Sequence, residues 1–318
     1  NKIIKGQFPF LGSAQFSILL EFIMNAWILV GEKSRNLKDI KKFTDRFKNK
    51  GINMTAVNTE DIDVFCDSDK THIFVKGIKT EIPPFVISAY FGNITSHNLA
   101  VSRMLEGKNT IVINGAQCII SAGNKLETYL TVSQNTDISV PKTMLYTPYL
   151  TKYFVEKNFS YPVVLKINNG SQGSGVELAE NFEEIMSLSE ELSKKYNDDV
   201  LIQEYISSSK GKDLRVILCG GKFITSFVRS NSKSFKSNLS EGGKIEFISA
   251  EEKLIEYAEK IGTLLNINLG SVDFLLGEKG EYIFCEANAM PGNSYSEAAK
   301  KEGIKDPFDD VVENILEQ

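Results

Sequence analysis

Three side chains that suit a metal ion lie close together in the stretch GSVDFLLGEKGEYIFCEANAMPG, residues 270–292. Its two apolar runs flank a glycine-bounded turn at 277–280, a pattern that predicts a β-hairpin. Because side chains alternate along a strand, Asp273, Glu286 and Asn288 are expected on one face of that hairpin. Two carboxylates and an amide oxygen are hard ligands, suited to Mg²⁺ that bridges the phosphates of a nucleotide.

Two strands, 271–276 and 281–286, must position these ligands. A symmetric two-residue loop at 278–279 would place Asp273 and Glu286 diagonally across the hairpin, about 7–8 Å apart at the backbone and close enough to share a metal ion. By itself, such a pattern is more commonly explained by an acidic hairpin with a solvated face. Here, however, the other positions of both strands are largely apolar, and a charge in a buried strand is costly unless a metal neutralises it.

A glycine-rich loop follows the predicted strand 161–166, whose last residue is Lys166. Glycines let the backbone come close to a ligand and direct amide N–H groups at phosphate oxygens, and Lys166 can add a point charge. A flexible turn is the simpler alternative, and the chain has no GxxxxGK(S/T) loop of the Walker type. The loop spans residues 169–176 and includes Gly173, Ser174 and Gly175.

Positive charge gathers in the region that follows. The predicted strand 200–206 turns polar midway, so its edge can offer backbone groups to an adenine. Asp213 and Arg215 lie two residues apart on the next strand and therefore share a face. Together with Arg229 and Lys236, Arg215 could stabilise charge on a phosphoryl group or an oxyanion. For each of these cations taken alone, a salt bridge to a surface carboxylate is the simpler explanation.

Length and composition limit the remaining possibilities. With 318 residues, 42% of them hydrophobic, the chain can bury a full core and is expected to divide into two or three domains. A net charge of −5 argues against the basic surface with which proteins usually bind nucleic acid. No apolar run approaches the ~20 residues that cross a bilayer. Four widely spaced cysteines without a CxxC favour reduced thiols, and we expect a cytoplasmic protein.

The first 114 residues divide into two parts. Residues 1–23 are unusually apolar and precede the first methionine, Met24. A terminal helix, an extension ahead of a start site and a peptide-like segment that occupies a groove are all compatible with them. Strands and helices alternate over 24–114, which predicts a parallel α/β domain. No GxGxxG follows its first strand, so dinucleotide binding is not indicated.

The candidate residues occur in a fixed order along about residues 25–300. They are Lys125, Lys166 with its glycine-rich loop, Gln203-Glu204-Tyr205-Ile206, Asp213-Leu214-Arg215, Arg229, Asn238 with Gly242-Gly243, Asp273, and Glu286-Ala287-Asn288. In this order the set resembles the ATP-grasp superfamily. Within it, the chain is similar to the RimK-type glutamate ligases, which include the carrier-protein ligases of lysine and arginine biosynthesis.

The resemblance implies an ATP-grasp fold of mixed α/β and α+β class. A Rossmann-like domain would occupy 24–114, a small α+β lobe 115–199 and a large α+β lobe 200–318, with ATP held between the sheets of the two lobes. The resemblance also implies that Lys125 and Lys166 contact the nucleotide phosphates.

Further roles follow from the same resemblance. The segment Gln203 to Ile206 would belong to the nucleotide site, with its last three residues at the adenine, and Asp213 would lie near the ribose. Asp273, Glu286 and Asn288 would hold two Mg²⁺ ions, for which Mn²⁺ can substitute.

The reaction that the resemblance implies is ATP-dependent ligation. A substrate carboxylate attacks the γ-phosphate to give an acyl phosphate, and an amine then displaces phosphate to form an amide. Arg215 would offset charge on the phosphoryl oxygens, whereas Arg229, Lys236 and Asn238 would orient the donor or the acceptor. The expected substrates are a glutamate-like amino acid and a peptide, protein or carrier-protein acceptor, and the expected assembly is a homodimer or homotetramer.

Two departures from the family pattern bear on the choice of substrate. Lys236 occupies the position of an arginine that helps to bind substrate in the ribosomal-protein ligases, and residues 88–90 lack a common Pro-Arg pair. Two other functions stay open, a nucleotide-binding module without turnover and a small-molecule kinase. The three predicted metal ligands speak against the first, because binding alone tolerates their loss.

Overall fold

The computed structural model describes residues 24–31, 37–66, 71–88, 95–107, 110–170, 173–237 and 243–317. The expectations for residues 1–23 and for Asn238 therefore concern positions outside the described residues. Among the described residues, no helix combines the length and the apolar character that crossing a membrane requires.

The described strands are, in chain order, β1 (Met24–Val30), β2 (Ile52–Asn58), β3 (Ile62–Cys66), β4 (Thr71–Val75), β5 (Ile78–Lys79), β6 (Phe85–Ser88), β7 (Ile111–Ile113), β8 (Thr143–Leu145), β9 (Val163–Ile167), β10 (Val176–Ala179), β11 (Val200–Glu204), β12 (Lys212–Cys219), β13 (Lys222–Ser230), β14 (Lys244–Phe247), β15 (Leu269–Leu276) and β16 (Tyr282–Asn288). The described helices are α1 (Leu37–Lys48), α2 (Ser96–Glu106), α3 (Ala116–Gly123), α4 (Lys125–Asn135), α5 (Lys152–Asn158), α6 (Phe182–Tyr196), α7 (Glu252–Leu264), α8 (Ser294–Glu302) and α9 (Pro307–Leu316).

The N-terminal sheet is parallel, with the strand order β2-β1-β6-β7. Its strands are apolar because both faces are covered. On one face Ile28 packs with Phe43 and Phe47 of α1, and on the other Leu29 packs with Val101 of α2. The predicted parallel α/β domain is confirmed. The small antiparallel sheet β3-β4-β5, which follows β2, lies outside that prediction.

The small lobe is an antiparallel sheet with the order β10-β9-β11-β8, backed by α5 and α6. Leu165 of β9 and Ile202 of β11 pack against Ile185 of α6, and Val155 of α5 joins the same core. Asn181 caps α6 by accepting a hydrogen bond from the backbone N–H of Glu184. The lobe thus presents one apolar face to its helices and leaves the other to the rest of the molecule.

The large lobe is an antiparallel sheet with the order β14-β13-β12-β15-β16. Along β12, Leu214 and Val216 point to a core shared with α3, α4 and α7. On the opposite face Ile217 packs with the N-terminal domain and with α9, whereas Asp213 and Arg215, further along the same face, are charged. Alternation along one strand therefore gives this face an apolar half, which is covered, and a charged half.

Candidate active site

A cleft between the small-lobe and large-lobe sheets encloses about 910 Å³, including the part that is open to solvent. Most of the predicted site residues that the structure describes line it: Lys125, Lys166, Gly173, Ser174, Gln203, Glu204, Tyr205, Ile206, Asp213, Arg229, Lys236 and Glu286. Four further predicted residues lie outside the lining: Gly175, Arg215, Asp273 and Asn288. The fold thus brings residues from five separate stretches of sequence, from Lys125 to Glu286, to one cavity.

The segment predicted to hold an adenine follows the last paired residue of β11. Glu204 ends the ladder, and its backbone N–H donates to Lys142 O at 2.9 Å. Tyr205 and Ile206 therefore run along the cleft wall beyond the paired strand. The Gln203 side chain is buried and donates to Thr143 Oγ1 at 2.7 Å, so it fixes the strand in place.

The two predicted lysines reach the cleft from different elements. Lys166 projects from β9, and its Nζ donates to the Tyr129 hydroxyl at 2.6 Å. Lys125 is the first residue of α4, and its Nζ donates to Gly170 O and lies 3.7 Å from a carboxylate oxygen of Glu286. Burial lowers the pKa of each lysine below its ordinary value. Removal from water weakens the hold of each ammonium on its proton, and anionic groups nearby oppose the effect.

Two glycines of the glycine-rich loop adopt a backbone conformation that other residues rarely adopt. Gly173 and Gly175 have φ of 74° and 65°, the left-handed region that glycine adopts readily. A Cβ added at Gly175 would come within 2.9 Å of the Ile167 side chain, so the loop folds tightly over β9. Lys236, which belongs to the large lobe, reaches across the cleft and donates from Nζ to Gly173 O at 3.3 Å. The loop is therefore contacted from both sides of the cavity.

Four charged side chains, two of which line the cleft, form a network at its wall. Arg229 donates to Asp213 through Nε at 2.7 Å and through Nη2, and its Nη2 also donates to Asp273 Oδ2 at 2.9 Å. Arg215 holds Asp273 with two bonds of 2.7 and 2.6 Å. Ser237 adds a bond of 2.6 Å to Asp213. The carboxylate partners of Arg215 and Arg229 therefore belong to this network, and the two arginines are not explained by salt bridges to surface carboxylates.

The network sets the protonation of its members. Burial would raise the pKa of the Asp273 carboxyl, but Arg215 and Arg229 outweigh burial and hold the pKa below its ordinary value. Burial raises the pKa of Asp213 above its ordinary value, although Arg229 opposes this. Burial would lower the pKa of Arg229, but Asp273 and Asp213 raise it, so its positive charge is permanent. The site therefore contains fixed positive charge next to an ionised Asp273.

The predicted register of the β15–β16 hairpin is wrong. Asp273 lies directly opposite Glu286, not diagonally, whereas Phe274 pairs with Phe284. The turn is one residue longer than a symmetric loop, and Cys285 forms a β-bulge that shifts the pairing by one more residue. The bulge restores Phe284 to the core face while Glu286 stays on the charged face. The expected sharing of one face by Asp273 and Glu286 is confirmed.

Comparison with known proteins places the chain in a family. A family model described as the RimK-like ATP-grasp domain matches residues 122–308. The chain belongs to this family. It is 31% identical over 211 residues to coenzyme γ-F420-2:α-L-glutamate ligase of Methanococcus maripaludis. The matched region covers 65% of this chain and 72% of that protein.

A second relative extends further along the chain. Identity to a probable α-L-glutamate ligase of Rhodopirellula baltica is 26% over 264 residues and covers 82% of this chain. The chain spans only 64% of the length of that relative. Among solved structures, the ATP-grasp ligase PsnB in complex with a minimal precursor has a TM-score of 0.68 at 14% identity, covering 93% of this chain and 100% of PsnB.

These findings confirm three predictions from the sequence: the family, the ATP-grasp fold of mixed class, and the class of enzyme, an ATP-dependent carboxylate–amine ligase. The bounds of the domains and the roles of individual residues stay predictions. Cys118 of α3 and Tyr129 of α4 fall within the range predicted for the small lobe, 115–199, but their side chains pack in the core of the large-lobe sheet.

The RimK-like ATP-grasp family implies a metal, and the residues at the hairpin fit Mg²⁺. In Asp273, Oδ2 accepts bonds from both arginines, but Oδ1 accepts only one and keeps a lone pair. Glu286 has Lys125 as its charged neighbour, and Asn288 adds an amide oxygen, the atom of its side chain that can bind a cation. The described residues contain no group of three His, Cys, Asp or Glu side chains that could hold a metal. Such a donor set suits an ion that keeps water or phosphate ligands, as Mg²⁺ does.

Two residues at the site were missed by the sequence analysis. Tyr129 contacts Lys166, and Ser237 contacts Asp213. Tyr129 follows Lys125 by four residues on a helix, so the spacing that puts both on one helical face was a usable signal. Ser237 follows Lys236 directly in an irregular loop, where spacing predicts no orientation.

Replacing Lys166 by methionine tests the glycine-rich loop as a phosphate site. The substitution keeps the length of the side chain and removes the charge. We expect kcat/KM for ATP to fall ~10- to 1000-fold, the range for one lost charge-assisted contact. Steady-state ADP release measures the effect, and the exposed Lys195→Met on α6 is the matched control. Unchanged kinetics for Lys166→Met would place the phosphates elsewhere.

Proposed function

We propose that this protein ligates a glutamate-like amino acid to a peptide, protein or carrier-protein acceptor through an acyl phosphate. The observation that supports it best is the convergence of Lys125, Lys166 and Glu286 in one cleft, beside the buried charge of Arg229. One relative is named a probable α-L-glutamate ligase and another coenzyme γ-F420-2:α-L-glutamate ligase, and PsnB was solved with a precursor peptide. The first two names supply the glutamyl substrate of this proposal, and the precursor peptide of PsnB supplies its peptide-like acceptor.

The lysines serve to bind and orient the nucleotide. Lys166 from β9 and Lys125 from the start of α4 would direct N–H donors at phosphate oxygens. Tyr205 and Ile206 would offer backbone groups to the adenine, and Asp213 would lie at the ribose. Positioning of this kind supplies much of the rate enhancement in phosphoryl transfer.

Glu286, Asn288 and one oxygen of Asp273 would hold two Mg²⁺ ions. Mn²⁺ would be able to replace them. When bound, the metal supplies neutralising charge on the phosphate oxygens. Arg215 and Arg229 keep Asp273 ionised and aligned for that role.

The large-lobe loop would protect and orient the reacting groups. Lys236 already spans the cleft to Gly173 O at 3.3 Å, so both lobes contact the same loop. An acyl phosphate is hydrolysed when water reaches it, and a closed cleft limits that side reaction. Lys236 and Asn238 would orient the donor or the acceptor, and Arg229 would support them through Asp213 and Ser237. A cytoplasmic location and a homo-oligomeric state stay predictions.

One experiment separates this proposal from its two rivals. Purified protein is incubated with Mg-ATP and a panel of amino acids, peptides and carrier proteins, with and without hydroxylamine. A ligase releases ADP only with a competent substrate and yields a hydroxamate with hydroxylamine, whereas a kinase yields a phosphorylated product. Intact-mass measurement identifies either product. ADP release that yields no amide or hydroxamate, or the absence of ADP release across the panel, would contradict the proposal.

Replacing Lys236 by arginine tests substrate choice. A lysine holds a carboxylate as a point charge, whereas a planar guanidinium binds it through two bonds. We therefore expect wild-type protein to discriminate poorly among acidic amino acids and Lys236→Arg to prefer a glutamyl carboxylate more strongly. The measurement is kcat/KM for an amino-acid panel in both forms, with the exposed Lys233→Arg in the same segment as control. Identical profiles would mean that Lys236 does not touch the substrate.

A further inference from the structure

The Tyr129 hydroxyl lies between two parts of the candidate site. It accepts a hydrogen bond from Lys166 Nζ at 2.6 Å and donates one to the backbone carbonyl of Cys285. Lys166 belongs to the small-lobe strand β9, whereas Cys285 is the bulge residue of β16 and directly precedes Glu286. One hydroxyl therefore joins the lysine beside the glycine-rich loop to the hairpin that carries Glu286.

The position of this hydroxyl is fixed by packing. Tyr129 is only 4% exposed, and its ring meets that of Phe284 edge to face with centroids 5.7 Å apart. It lies on α4 one turn after Lys125, so the helix that carries one lysine also holds the partner of the other. A tyrosine has two side-chain torsions, and packing of the ring leaves the hydroxyl little freedom.

The lysine, by contrast, depends on such a partner. Lys166 is 6% exposed, and an ammonium has three donors and no acceptor. A buried ammonium without acceptors is strongly disfavoured. The Tyr129 hydroxyl accepts one N–H and points the end of a long, rotatable side chain in one direction, with Nζ 5.0 Å from the ring centroid. The remaining N–H groups can then bind phosphate oxygens.

We propose that Tyr129 is a positioning residue, which orients Lys166 towards the nucleotide phosphates and holds it in register with Glu286. This inference rests on the proposed function, in which Lys166 binds phosphate. It adds a residue that neither binds the nucleotide nor contacts a metal ligand through its side chain. Its effect should be transmitted through Lys166.

The test removes the hydroxyl and keeps the ring. We expect Tyr129→Phe to weaken the equilibrium binding of Mg-ADP about 5- to 30-fold, measured by calorimetry, because one hydrogen bond to a charged group is lost. In a Lys166→Met background the same change is expected to have no further effect, since the two residues act as one unit. The control is Tyr161→Phe, because the buried Tyr161 hydroxyl has no hydrogen-bond partner among the described residues.

The outcomes separate positioning from packing. Equal losses of affinity from Tyr129→Phe in both backgrounds, or no loss at all, would overturn the inference. Denaturant unfolding of each variant is measured in parallel, so a loss of affinity that merely follows a loss of folded protein is recognised and counts against it. Because binding needs no turnover, wild-type protein that binds Mg-ADP but forms no product would refute the proposed ligation and still test Tyr129. Wild-type protein that binds no nucleotide refutes both.

Discussion

Replacing Glu286 by glutamine is expected to lower kcat for ADP release by about 100- to 1000-fold, the size of effect seen when one group that stabilises transition-state charge is removed. The substitution keeps the volume and deletes the charge. Glu286 is 30% exposed at its side chain, and its nearest cation, Lys125, lies 3.7 Å away, so no tight buried ion pair is broken. The fold should therefore survive, and the loss should report on metal and phosphate binding.

The Glu286 experiment has a control in the same hairpin and a second readout. Glu278→Gln changes an exposed residue in the turn and should leave kcat unchanged. Binding of Mn²⁺ in the presence of ADP, followed by magnetic resonance, should weaken for Glu286→Gln alone. If Glu286→Gln turned over substrate and bound Mn²⁺ as well as wild-type protein does, this hairpin would not be the metal site. Asp273→Asn is a poorer probe, because it would leave Arg215 and Arg229 buried beside a neutral amide.

Replacing Arg229 by methionine is expected to lower the free energy of unfolding by about 3–5 kcal/mol, the cost of removing one partner from a buried ion pair. Arg229 is 8% exposed at its side chain and contacts both Asp213 and Asp273. Without it, Asp213 loses its cationic partner and faces Asp273, which keeps only Arg215. Methionine fills similar space, so most of the loss should come from electrostatics rather than from a cavity.

Chemical denaturation in urea measures the Arg229 effect as a shift of the midpoint at constant slope. The matched control is Arg103→Met, on the exposed side of α2, for which a change within about 0.5 kcal/mol is expected. Arg229→Lys should fall between wild type and Arg229→Met, because a lysine keeps the charge but cannot make both bonds to Asp213. A loss below about 1 kcal/mol for Arg229→Met would show that the network does not hold the sheet together.

The sequence by itself predicted much of the framework. Alternation of strands and helices over 24–114 predicted the parallel N-terminal sheet, since strands covered on both faces are continuously apolar. The run of glycines predicted a loop after the strand that carries Lys166, and Gly173 and Gly175 in that loop have positive φ. The period of two along β12 predicted that Asp213 and Arg215 share a face. The loop and the shared face are local, because backbone geometry over a few residues determines them, whereas the parallel sheet follows from the alternating order of strands and helices along the chain.

Only the tertiary structure decided how the pieces meet. The Cys285 bulge sets Asp273 opposite Glu286, and no spacing rule predicts it, because it arises where Phe284 must join the core while Glu286 stays on the charged face. The partners of Arg229 were likewise undecided, because a surface salt bridge and a buried network require the same residue types. Strand pairing across β13, β12 and β15 selected the network. Contacts between residues far apart in sequence depend on the packing of whole sheets, and so the fold, rather than local pattern, determines them.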